Sequence, residues 1–200
     1  MTLLGFFGPS KDDVWQRLAD KVGGNFFEGG LWLGDSKVRA HVDGWPVTLD
    51  TYRDSHGTTF TRFRAPYLNT DNFTFAIYRD QSFDHKDRWT DRADLETGHA
   101  FFDQEFVIKS NDLQKVKDLF NDDKLRGALI KQRDIFLRVR FESAWFNKQY
   151  PNGMHELALE AKGEIKDLTR LNELYELFGE ALHQLCRIGV ALDKDPGIVI

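Results

Sequence analysis

Between positions 80 and 103 the chain carries Asp80, Asp84, His85, Asp87, Asp91, Asp94, Glu96, His99 and Asp103. Carboxylates and imidazoles at this density could hold a divalent metal and activate a water for hydrolysis. That chemistry needs about three converging ligands and one open coordination position. Asp84, His85 and His99 are the candidate ligands, with Asp103 able to stand in for Asp84. Lys86, Arg88, Arg92 and Trp89 are interspersed among them, the pattern of a solvated loop of mixed charge, so the metal-dependent hydrolase is the alternative reading. A second group is Arg62 and Arg64 with Tyr52 and Phe60 beside them. Arginines on a strand surface next to aromatic rings can receive a phosphate, a carboxylate or an acidic peptide. The competing role for Arg62 is an ion pair with Asp50.

Other chemistries find no support. The sequence contains no P-loop, dinucleotide-binding glycine pattern, HExxH, nucleophile elbow or EF-hand loop. Cys186 falls inside an apolar helical face beside Leu182 and Leu185, where a small buried hydrophobe fits better than a nucleophile. His183 is close in sequence but points in a different direction on a helix. Lys+Arg 27 against Asp+Glu 32 gives a net charge of −5 with no basic cluster, which argues against nucleic acid as a partner. One cysteine excludes an internal disulfide framework. The longest apolar run, Leu3 to Gly8, falls far short of the roughly 20 residues needed to span a bilayer. It also lacks the charged start and cleavage site of a secretory signal. The expectation is a cytoplasmic protein with no transmembrane segment and no cofactor.

The elements that must position these groups follow from pattern. Ser10 and Asp13 form a capping-box signature before Val14, Trp15, Leu18 and Val22, which share one helical face, and Gly23-Gly24 ends the run. From Asn25 to Tyr78, β-branched and aromatic segments alternate with turn residues, and an antiparallel meander of about five strands is the economical reading. Asp43-Gly44 between two apolar runs is the strongest hairpin signal. The Ser55-His56-Gly57 loop, with Gly57 left-handed, sets a register that pairs Asp50 with Arg62, Tyr52 with Phe60 and Thr48 with Arg64. Those residues share one face, while Val47, Leu49, Thr61 and Phe63 share the other, which is the buried one. If exposed, the Asp50–Arg62 pair would contribute at most about 1 kcal/mol.

The second half begins with a short strand at Phe106-Val107-Ile108. Asn111-Asp112 and Asp122-Asp123 then start two short helices. The segment 135–142 alternates apolar residues with Arg138, Arg140 and Glu142, and Leu157, Leu159 and Ala161 alternate with Glu156, Glu160 and Lys162. These two segments read as a hairpin with one apolar face, its charges neutralising one another. A helix from Asp167 to about Leu192 follows, with a wide apolar stripe through Leu171, Leu174, Phe178, Leu182 and Leu185. Its spacing also passes for about three heptads, which keeps a homodimer through this helix in view, although packing across the sheet suits the width of the stripe better.

The fold class is therefore α+β: an antiparallel sheet, meander plus later hairpin, packed against a long C-terminal helix, with an N-terminal helix and two short ones. A chain of this length buries about 70% of its unfolded surface without staples, and residues 1–200 read as one domain. A subdivision into 1–80 and 97–192 is conceivable across the polar stretch.

Thr97 to Asp112 contains Phe102, Asp103, Phe106, Val107 and Ile108, a Phe-Asp-x-x-Phe-Val-Val/Ile pattern leading into an Asp-capped helix. It resembles an uncharacterised bacterial domain family, a domain of unknown function, over Thr97 to Ala191. His99 departs from it, standing where the family has an acidic residue. The resemblance implies a bacterial, cytoplasmic or membrane-associated protein without an assigned activity, and it carries no catalytic residues. Physically, Asp103 suits a structural anchor that accepts backbone N–H groups, with ligand contact as its other possible role. The function that follows is non-enzymatic binding of a protein partner or of a small anionic or apolar ligand, with Tyr52, Phe60, Arg62, Arg64 and Asp103 as candidate binding residues.

Overall fold

The computed structural model describes residues 8–30, 34–79, 92–140 and 153–198. Ser10 caps helix α1 (Lys11–Val22): its hydroxyl accepts from the Asp13 N–H at 3.1 Å, and the Asp13 carboxylate accepts from the Ser10 N–H at 3.2 Å. Gly23 closes the helix at φ +67°, a left-handed position that suits glycine. The buried side of α1, Val14, Trp15, Leu18 and Ala19, faces the core.

Eight strands form one antiparallel sheet: β1 (Asn25–Phe27), β2 (Lys37–Val42), β3 (Trp45–Arg53), β4 (Thr59–Leu68), β5 (Phe75–Tyr78), β6 (Val107–Ser110), β7 (Ile135–Arg140) and β8 (Met154–Lys162). Their order is β1-β2-β3-β4-β8-β7-β5-β6. The register expected from the Ser55-His56-Gly57 loop is the one observed, with Asp50 opposite Arg62, Tyr52 opposite Phe60 and Thr48 opposite Arg64. Gly57 sits at φ +81°, and the Asp54 N–H donates to the Thr58 carbonyl to close the hairpin.

The five-strand meander needs one correction. It runs only from β1 to β4, and the β7–β8 hairpin lies between β4 and β5. Strand lengths explain this. The ten residues of β4 meet the nine of β8 from Thr61↔Ala161 to Leu68↔Met154, whereas β5 has only four to offer. The apolar phases also match, Phe63 against Leu159 and Ala65 against Leu157. The early meander and the later hairpin therefore join in one sheet.

All five described helices contribute to the core: α1, α2 (Ala100–Glu105) through Phe102, α3 (Leu113–Leu119), α4 (Asp123–Lys131) and α5 (Leu168–Arg187). Asp112, Asp122 and Asp167 cap the last three, each accepting a backbone N–H of the first turn. Helix α5 ends at Arg187, earlier than its apolar pattern suggests, and the chain turns at Gly189. Its stripe of Leu171, Leu174, Phe178, Leu182 and Leu185 is buried within the chain's own core, which removes it as a coiled-coil seam. The indole N–H groups of Trp15 and Trp45 donate to the carbonyls of Ile165 and Leu192, so both rings are buried without an orphaned donor. A six-residue helix, α2 (Ala100–Glu105), precedes β6 where the sequence suggested only a strand entry. Among the described residues, no helix is long and apolar enough to cross a membrane.

Candidate functional site

Strand alternation places Asp50 and Tyr52 of β3, Phe60, Arg62 and Arg64 of β4, Glu156 and Glu160 of β8, and Phe136, Arg138 and Arg140 of β7 on the face opposite the helices. With Val47, Leu49, Thr61 and Phe63 on the helix side, this is the face where the pattern leaves an exposed second arginine beside an Asp50–Arg62 pair. Arg62, Arg64, Arg138, Glu156 and Glu160 are instead each at most 5% exposed. They sit on the adjacent strands β4, β8 and β7, with β3 alongside, where long charged and aromatic side chains lie side by side.

The hydrogen bonds explain how so much charge is accommodated. The Asp50 carboxylate accepts from Arg62 Nε at 2.9 Å and Nη2 at 3.0 Å, a bidentate pair, and also from Arg64 Nη2 at 2.5 Å. Arg64 Nη1 lies 3.6 Å from Glu156. Arg138 Nη2 donates to both oxygens of Glu160 at 3.1 Å, and the Tyr52 hydroxyl also donates to Glu160. Burial works against the charge on Arg62, but the bonds to Asp50 outweigh it and raise its pKa. Burial and then the Glu160 charge push the Tyr52 phenol up, so it stays a neutral donor.

Aromatic rings are built into this lattice. The Arg62 guanidinium sits 4.6 Å from the Tyr52 ring centroid, and Tyr52 stacks on Phe60 at 5.3 Å and 19°. Arg138 lies 4.4 Å from the Phe136 ring, which meets Tyr78 edge-on. The structure thus brings together four of the five sequence-selected binding residues, Tyr52, Phe60, Arg62 and Arg64. It also places Asp50 where an incoming carboxylate would sit between the two arginines.

Asp103 lies elsewhere, on α2. Its Oδ1 accepts from the Thr97 N–H at 2.9 Å and the Thr97 hydroxyl at 2.6 Å, and its Oδ2 accepts from the Gly98 N–H at 3.0 Å. Burial pushes its carboxyl up, but these bonds prevail and hold it below the ordinary carboxylate value. Phe102 and Phe106 pack against each other at 4.9 Å beside it. Of the alternative metal ligands, Asp84 and His85 lie outside the described residues, and His99 precedes α2 without making a side-chain cap. Among the described residues, no three His, Cys, Asp or Glu side chains gather as a metal site.

Hairpin by hairpin, the pattern gives two separate charge clusters: Arg62 with Asp50 and Arg64 beside them, and Arg138 and Arg140 with Glu156 and Glu160. The β4–β8 pairing sets Arg62 opposite Glu160 and makes one lattice of them. The available signal was that both strands are long and alternate charges with apolar residues, at Arg62 and Arg64 in β4 and at Glu156 and Glu160 in β8.

No family model matches the chain, and no curated protein matches it. Among solved structures, the fold is similar to the crystal structure of the mycobacterial trehalose monomycolate transport factor A, TtfA. That likeness has a TM-score of 0.56 at 9% sequence identity, covering 91% of this chain and 97% of that one. At this identity the similarity is one of fold.

Proposed function

We propose that this protein acts by non-enzymatic binding of a small ligand or protein partner, through the rim of the polar sheet face around Tyr52, Phe60, Arg62 and Arg64. The observation that carries the reading is the buried lattice of four arginines and three carboxylates on β3, β4, β7 and β8. Such a lattice is a poor device for stability, because well-packed apolar residues hold a sheet as firmly without desolvating charge. Asp50 already fills the Arg62 fork, so arginines beside stacked rings here do receive a carboxylate, and Arg140 at the partly exposed end presents a further fork to a planar or tetrahedral anionic group. Asp50, Tyr52 and Arg140 are only partly buried, so solvent reaches parts of this face. The fold shared with a transport factor is compatible with a binding or transport-associated role.

Thermal unfolding against fatty acids, phospho-compounds, nucleotides and metals, with affinity capture of partners in parallel, tests the proposal. A ligand at 100 times its dissociation constant adds about 2.7 kcal/mol, and each kcal/mol moves Tm by roughly 2–4 °C at this chain length. A shift from an organic anion, weakened by Tyr52→Ala, is the expected result. A shift confined to metals, or none at all with no captured partner, would overturn it.

A further inference from the structure

Among the described residues of the polar face, four arginines meet three carboxylates. Both oxygens of Glu160 are taken by Arg138 at 3.1 Å, and Tyr52 also donates to it. Asp50 is held by Arg62 and Arg64, and Glu156 lies within ion-pair distance of Arg64. Arg140 is the fourth cation. It faces Glu156 across the β7–β8 ladder, yet among the described residues its one ion pair is with Glu160 Oε1 at 3.8 Å, beyond hydrogen-bond reach. Among the described residues its guanidinium makes no hydrogen bond, although it carries five donors in a planar fork.

Arg140 is also the most accessible of the four. Its side chain is 20% exposed, against 4–6% for Arg62, Arg64 and Arg138. The surrounding field agrees with the geometry. Burial, then Arg138 and more weakly Arg62, disfavour the charge on Arg140, while Glu160 and Glu156 only partly offset them. An anion docking at this fork would supply the missing counter-charge and meet the unused donors together.

We propose that Arg140 is the receptor for one oxyanion, a carboxylate or phosphate group of a small ligand, at the partly exposed end of the sheet's polar face. This deepens the binding reading above and rests on it. The fork distinguishes an oxyanion from a spherical halide, because two parallel N–H bonds need two acceptor oxygens. Lysine at this position would keep the charge and lose the bidentate contact.

The test measures Tm of the full chain in acetate, in inorganic phosphate and in chloride at matched ionic strength, for the wild type, Arg140→Gln and Arg140→Lys. The expected result is a saturable rise with acetate, phosphate or both beyond that in chloride. Arg140→Gln should abolish it, and Arg140→Lys should weaken the apparent affinity by about tenfold. The salt that acts decides whether the group is a carboxylate or a phosphate. Arg140→Gln without added anion should melt at or above the wild type, since it removes a poorly compensated cation. An equal rise in chloride, an oxyanion effect that survives Arg140→Gln, or a Tm several degrees lower in that variant would each overturn the proposal. If these salts fail while another compound binds, the Arg140 site falls and the binding reading stands. If nothing binds, both fall.

Discussion

Leu159 and Glu160 are neighbours on β8, each 1% exposed, and they point to opposite sides of the same sheet. On Leu159's side, contact is non-directional: Phe63 of β4 and Leu137 of β7 flank it, and helices cover the face. On Glu160's side, burial is tolerated because specific donors meet specific oxygens, Arg138 above all. Equal burial is therefore reached by two different means, and the two faces should fail differently. An apolar face loses stability in proportion to the volume removed, whereas a polar face loses it when a partner is stranded.

The largest effect should come from Glu160→Leu. It removes the carboxylate that Arg138 Nη2 and the Tyr52 hydroxyl donate to, and with it the ion-pair partner of Arg140. Removing one member of a buried ion pair costs about 3–5 kcal/mol, read as a lower midpoint in urea unfolding. Arg138→Met should cost less, because Arg140 is near enough to close on Glu160. If the two variants lose equally, the lattice is a set of isolated pairs. Leu159→Ala, one residue away, should cost about 3 kcal/mol through lost burial and a residual cavity. If Leu159→Ala proved far costlier than Glu160→Leu, the polar face would be solvated and the contrast between the faces would collapse.

This contrast marks the limit of what could be read in the sequence. Period-two alternation in 135–140 and 156–162 identified which residues share a face, and the Ser55-His56-Gly57 loop fixed the register of Asp50 against Arg62. Neither feature reports strand order. Which charged side chains become neighbours depends on that order, and Arg62 meets Glu160 only because β4 pairs with β8, about 90 residues away. The residue types of the lattice were thus legible, while its burial and continuity were not. Helix α2 escaped for a more local reason: its six residues include two bulky aromatics and no side-chain cap from His99.

Asp103 sharpens the comparison from a third position, since its carboxylate is satisfied by backbone N–H groups and a hydroxyl with no arginine. Asp103→Ala should cost about 1–2 kcal/mol, the value of hydrogen bonds to a charged acceptor outside the deep core. Its folded-state pKa lies below the unfolded value near 4. The stabilisation is then fully present above that unfolded value and is lost as pH falls through the folded one. Melting curves at pH 7 and pH 3 should show a gap between wild type and variant that narrows in acid. A gap that stays constant would assign the loss to packing instead.

The smallest expected effect probes how forgiving the helix-covered side is. Gly179 lies in the interior of α5, where glycine costs about 1 kcal/mol relative to alanine. A methyl group there would meet Val42 Cγ1 at 3.4 Å and Cγ2 at 3.6 Å, ordinary van der Waals separations. Gly179→Ala should therefore stabilise the protein by about 0.5–1 kcal/mol, seen as a small rise in Tm. On an apolar face an added methyl finds further contacts without leaving any group unpaired, and this is the sense in which that face is tolerant. A loss of stability would show that α5 sits against β2 with no slack, making the helix-covered face as exacting as the arginine lattice on the other side.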